Sequence, residues 1–137
     1  MIITVKTIVD LPVEKVWEYW TKPEHIVNWN YASDDWHTTR ASNDLRVGGK
    51  FSSRMEAKDG SFGFDFSGVY NDVKLYSLIG NTLDDGRSMV VSFDEIDGKT
   101  LVTEDFEAEA ENSVELQRTG WQAILDNFKK YAEGQGV

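Results

Sequence analysis

Hydrophobic and polar positions alternate with two different periods along this chain. Residues 2–9, IITVKTIV, are rich in β-branched side chains and read as a strand. Asp10-Leu11-Pro12 ends it, and Pro12 suits a first helical turn because its missing N–H has no partner there. Val13, Val16, Trp17 and Trp20 then follow at helical spacing, predicting a short amphipathic helix over 12–21. Thr21-Lys22-Pro23-Glu24 breaks it and opens a second short helix at about 23–28. Residues 30–47 read as polar and irregular, and Gly48-Gly49 marks a turn.

The period then becomes two. Over 50–57, Phe51 and Met55 share one face, and Arg54 and Glu56 the other. Phe62, Phe64 and Phe66 alternate with Gly63, Asp65 and Ser67, as in a half-buried strand. Gly68 marks a bulge or a close backbone approach. Further strands are expected over 75–83, around Met89, Val91 and Phe93, and over 100–108, where Val102, Glu104 and Phe106 share a face. Asp59-Gly60, Asp85-Gly86 and Asp97-Gly98 punctuate these runs as hairpin turns, so the sheet is an antiparallel meander. From Asn112 the period changes again. Asn112-Ser113 supplies the cap, with Glu115 at capping-box spacing from Asn112, and Val114, Gln117, Trp121, Ile124, Leu125, Phe128 and Tyr131 recur at three and four. That is an amphipathic helix of about 20 residues ending near Gly134. The class is α+β, with about six or seven strands, two short helices after the first strand and a long final helix. A twisted sheet wrapped round one helix leaves room for a cavity between them.

Several short segments resemble a known family. They are Leu11-Pro12-Val13-Glu14-Lys15-Val16-Trp17, Trp20-Thr21-Lys22-Pro23-Glu24-His25 and Trp29. Asp44-Leu45-Arg46-Val47-Gly48-Gly49-Lys50-Phe51 is the most recognisable. Asp59-Gly60, Gly68-Val69-Tyr70 and the stretch from Gly120-Trp121 to Leu125 complete the set in order. Together they resemble the START-like helix-grip (SRPBCC) superfamily, and within it the family named after the activator of heat-shock protein 90 ATPase. The resemblance spans residues 1–137 as one domain and implies a curved antiparallel sheet gripping the C-terminal helix around a cavity. It does not imply a reaction, since such folds host lipid and hormone binders, polyketide cyclases and co-chaperone domains. The two-domain co-chaperones carry a further domain beyond this match, which argues against full chaperone activation.

Composition narrows the choice. Of 137 residues, 12% are aromatic, including five Trp, more than a plain core of this size needs. The net charge of −10 disfavours nucleic acid and anionic membranes as partners. With no Cys, disulfides, thiolate metal sites and Cys nucleophiles are excluded. The N-terminal residues lack the basic region and cleavage site of a signal peptide, so a cytoplasmic location is expected.

Three constellations are candidates for chemistry. The aromatic set either fills the core or lines a cavity; Trp29, Trp36 and Trp121 are the cavity candidates, with Phe64, Phe66, Phe106 and Leu125 behind them. Polar groups on apolar stripes come second. Gln117 and Glu104 need partners or a ligand if buried, and Arg54 and Glu56 are either such partners or members of a solvated outer face. Third, His37 follows Asp34-Asp35-Trp36 and is a candidate general base, with Glu56 and Glu104 as acid–base companions, or simply a loop residue. No metal-ligand spacing joins His25 and His37, and no phosphate-binding loop or nucleophile motif occurs, so no cofactor or metal is expected. The favoured function is non-catalytic binding of a small apolar or amphipathic molecule. The alternatives are a cyclase or hydrolase type of enzyme, and a module contacting a heat-shock protein 90 homologue.

Overall fold

A computed structural model describes residues 1–135. Its elements run β1 (Ile2–Val9), α1 (Val13–Thr21), α2 (Pro23–Ile26), β2 (Trp36–Asn43), β3 (Lys50–Ala57), β4 (Gly63–Lys74), β5 (Leu78–Leu83), β6 (Ser88–Ile96), β7 (Lys99–Glu107) and α3 (Val114–Gln135). The seven strands form one antiparallel sheet in the order β1-β7-β6-β5-β4-β3-β2. It is the expected meander, with β1 added at the far edge beside β7. The sheet curls as a half-barrel around α3, as the helix-grip expectation requires.

Period-two alternation fixes which side of each strand faces inward. Ile3, Val5 and Val9 of β1 are buried, as are Val102, Glu104 and Phe106 of β7 and Met89, Val91 and Phe93 of β6. Leu125, Phe128 and Ala132 of α3 close over them. Against the sheet, α3 packs chiefly on β1. The dense core therefore lies at the β1–β7–β6 side, and over the concave face of β3–β5 the long helix stands off, reaching β4 through Trp121. There α1 and α2 lean across instead, through Trp20, Ile26 and Trp29.

The structure corrects four local expectations. Residues 36–43 are not irregular but form edge strand β2. Its Ser, Thr and Arg side chains are polar on both faces, and a bulge between Thr38 and Arg40 breaks the alternation that would have announced it. The strand expected over 75–83 begins only at Leu78, after a turn at Leu75–Ser77 in which Tyr76 takes φ 62°. No Gly, Asn or Pro advertises that turn. Helix α2 stops at Ile26 rather than 28. Of the Asn112-Ser113 pair expected to cap α3, Ser113 does so, its Oγ accepting from the Leu116 N–H at 3.1 Å, whereas the Asn112 N–H donates to the Glu109 carboxylate at 2.7 Å in place of a capping box with Glu115. Gly68 is a close approach: a Cβ there would sit 2.4 Å from the Thr82 carbonyl and 3.0 Å from the Phe51 ring. Among the described residues no helix is long and apolar enough to cross a membrane.

Candidate functional site

Between the concave face of β3–β6 and the three helices lies a cavity of about 310 Å³. Rings form much of its apolar wall. Trp121 of α3 stacks on Phe106 of β7 at 3.8 Å and meets the edge of Phe66 of β4 at 6.0 Å. Trp20 and Trp29 stack at 4.7 Å under the α1–α2 cover, and both present their faces or edges to Phe128, at 4.8 and 4.9 Å. The Trp29 indole N–H donates to the Tyr19 carbonyl at 2.9 Å, which fixes its plane. Met55, Met89 and Ile79 supply the aliphatic floor.

Polar side chains, among them Ser53, Tyr70, Asn81, Arg87 and Glu104, share this lining. Tyr70 donates its hydroxyl proton to Asn43 Oδ1 at 2.5 Å, and Asn43 Nδ2 donates to the Thr21 carbonyl at 2.6 Å. This relay ties β4 and β2 to the end of α1. Burial pushes the Tyr70 phenol well above its ordinary value, so it stays neutral. Asn81 of β5 is buried and its Oδ1 has no hydrogen-bond partner. Glu104 of β7 is only 4% exposed and lines the cavity. Its neighbours in register are Val5 and Val91. Burial alone pushes its carboxyl up to about 8, with no hydrogen bond or cation offsetting the cost.

The candidates from sequence divide into four groups. Trp29, Phe64, Phe66, Glu104 and Trp121 line the cavity. Phe106 and Leu125 lie behind that lining, fully buried in the core. Trp36 sits beyond its far end, against Phe62 at 6.0 Å and Phe64 at 5.8 Å. Arg54, Glu56, His37 and Gln117 are elsewhere. Ser53 and Met55 face the cavity, so Arg54 and Glu56, which alternate with them, project from the opposite face. There Arg54 bonds Glu56 at 2.9 Å and Asp65 at 3.5 Å. His37 pairs in register with Glu56, on that same outer face. The acid–base trio of His37, Glu56 and Glu104 is therefore divided by the sheet and does not converge. Gln117 is buried but satisfied: its Oε1 accepts from the Glu109 N–H at 2.8 Å, and its Nε2 donates to the Asn112 carbonyl at 2.8 Å. It pins the loop before α3. Arg54→Ala is expected to leave the urea-unfolding midpoint nearly unchanged, because exposed ion pairs contribute little. Sequence reasoning passed over Asn81, although it stands between Ile79 and Leu83 on a buried strand face, the same signal that exposed Glu104.

This arrangement can be set beside known proteins. A family model described as "Activator of Hsp90 ATPase homolog 1-like protein" matches residues 10–133. The chain belongs to this family. The solution structure of a family-like protein from Aeromonas hydrophila is 45% identical, with a TM-score of 0.93, covering 99% of this chain and 94% of that one. A solution structure from Cytophaga hutchinsonii is 48% identical at a TM-score of 0.84, covering 97% and 92%. A crystal structure from Nitrosomonas europaea shares the fold at 19% identity, with a TM-score of 0.84 and coverage of 99% and 96%. No curated protein matches the chain. Family membership accounts for the helix-grip architecture; the cavity's use has to be argued from its walls.

Proposed function

We propose that the protein binds a small hydrophobic or amphipathic molecule in this cavity, without catalysing a reaction on it. The observation that carries the proposal is a ring-walled space of about 310 Å³ with an uncompensated buried carboxyl in its wall. Cavities of this size and lining are typical of small-molecule sites, where apolar walls give affinity and a few polar groups set orientation. Catalysis would need acid–base partners converging on one point, and among the described residues the titratable groups lining this cavity are Tyr70, Arg87 and Glu104. Tyr70 is committed to Asn43, and Arg87 Nε to Asp85 at 2.8 Å.

The test is a panel of small aromatic and aliphatic probes, read by tryptophan fluorescence and by melting temperature. A ligand that binds only the native state raises the melting temperature. Binding is expected in the wild type and lost in Ser53→Phe, which fills the space from the floor of β3. No binding by any member of the panel overturns the proposal.

The family description carries a second reading, contact with a heat-shock protein 90 homologue. It predicts capture in a pull-down and a changed ATPase rate of the chaperone. Absence of both rules it out.

A further inference from the structure

The cavity's chemistry points to one class of ligand, and the argument rests on the binding reading above. We propose that the molecule bound here carries a protonated amine on an apolar body, with the ammonium held against Glu104 and the body between the aromatic walls.

The carboxyl of Glu104 is buried, lines the cavity and has no partner among the described residues. Every element around it fails to provide one. Its register neighbours on β1 and β6 are Val5 and Val91. Helix α3 presents Trp121 and Ile124 to the cavity. Among the described residues the one cation in the lining, Arg87, does not pair with Glu104; its Nε bonds Asp85 at 2.8 Å and its Nη1 the Glu107 carbonyl at 3.3 Å. Tyr70 is neutral and donates to Asn43. The cavity therefore holds an acid without a counter-ion, and its partnerless Asn81 oxygen adds a second unmet acceptor.

Aromatic faces favour the same ligand. A cation over a desolvated ring is attracted by its quadrupole, and Trp121, Phe66, Trp20 and Trp29 surround this space. A carboxylate ligand would face an unpaired acid and a chain of net charge −10. An ammonium instead removes the penalty of ionising Glu104. With the free carboxyl at about 8, binding an ammonium at pH 7 releases a proton, roughly nine-tenths per site.

The experiment is isothermal titration of the wild type at pH 7, in phosphate and in Tris, with 4-phenylbutylamine, 4-phenylbutan-1-ol and 4-phenylbutanoate. The amine is expected to bind at least about tenfold more tightly than the other two, with proton release seen as a buffer-dependent enthalpy. In Glu104→Gln the amine's advantage and the proton release disappear, while the alcohol binds within about threefold of its wild-type affinity. If the alcohol or the carboxylate matches the amine in the wild type, the amine proposal is overturned and cavity binding stands. If the amine's advantage survives Glu104→Gln, the assignment to Glu104 is overturned. If none of the three binds, the cavity reading fails and this proposal with it.

Discussion

Replacing Glu104 with Gln is expected to stabilise the protein above pH 8 and to change it little near pH 4.5. The carboxyl sits at about 8 in the folded protein, against an ordinary value of 4.5, because burial penalises its charged form. The folded state thus holds this proton more tightly than the unfolded chain does. The contribution of Glu104 to stability is greatest below pH 4.5, falls as pH rises through the window to about 8, and is level beyond it. The whole window corresponds to on the order of 5 kcal/mol, a large share of the 5–15 kcal/mol that typically separates folded from unfolded domains. Glutamine has nearly the same shape and never ionises, so it escapes that loss. Urea unfolding of both proteins at pH 5 and pH 9 measures the effect. The surface carboxylates titrate alike in the two, so the difference isolates position 104. A variant whose advantage is equal at both pH values would contradict the buried, unpartnered placement of Glu104.

The second large effect is expected at Phe128. Its side chain is fully buried, and its ring meets both Trp20 and Trp29, at 4.8 and 4.9 Å. Phe128→Ala removes the support that holds the stacked indoles over the cavity. A fully buried Phe cut to Ala typically costs about 3–5 kcal/mol, through lost burial plus the hole left behind. For a chain of this length that lowers the melting temperature by about 10–20 °C. Because the two indoles cover the cavity, probe binding should weaken in the folded fraction as well, measured by titration well below the variant's melting temperature. A drop below about 1 kcal/mol would mean that α3 does not anchor the α1–α2 cover through this ring.

Much of the fold was legible because period and punctuation agreed. The three Asp-Gly pairs fell at the hairpin turns, and Gly60, Gly86 and Gly98 take positive φ there. What escaped lacked such signals. Strand β2 is an edge strand with polar residues on both faces, and Tyr76 turns the chain with a side chain that seldom adopts φ 62°. The site was legible where one polar residue interrupts a buried stripe. Glu104 between Val102 and Phe106 is the clear case, and Asn81 between Ile79 and Leu83 obeys the same rule. Arg54 and Glu56 show the limit of that rule. They alternate with Ser53 and Met55, so the same period that places them in a central strand also puts them on its outer face. Gln117 shows another limit: a buried amide on a helix stripe needs partners, but the loop backbone before α3 provides them. Sequence spacing cannot tell that partner from a ligand.

The most direct test of the cavity account is a nitrogen–proton correlation spectrum of the tryptophan indoles during titration with 4-phenylbutylamine and 4-phenylbutan-1-ol. Trp20, Trp29 and Trp121 line the cavity, whereas Trp17 packs in the core on Phe93 and Trp36 lies beyond the cavity's end. Binding in the cavity is expected to give saturable shifts of the Trp20, Trp29 and Trp121 indole signals, with Trp17 and Trp36 unmoved. Shifts confined to Trp36, or no shifts with either compound, would contradict it.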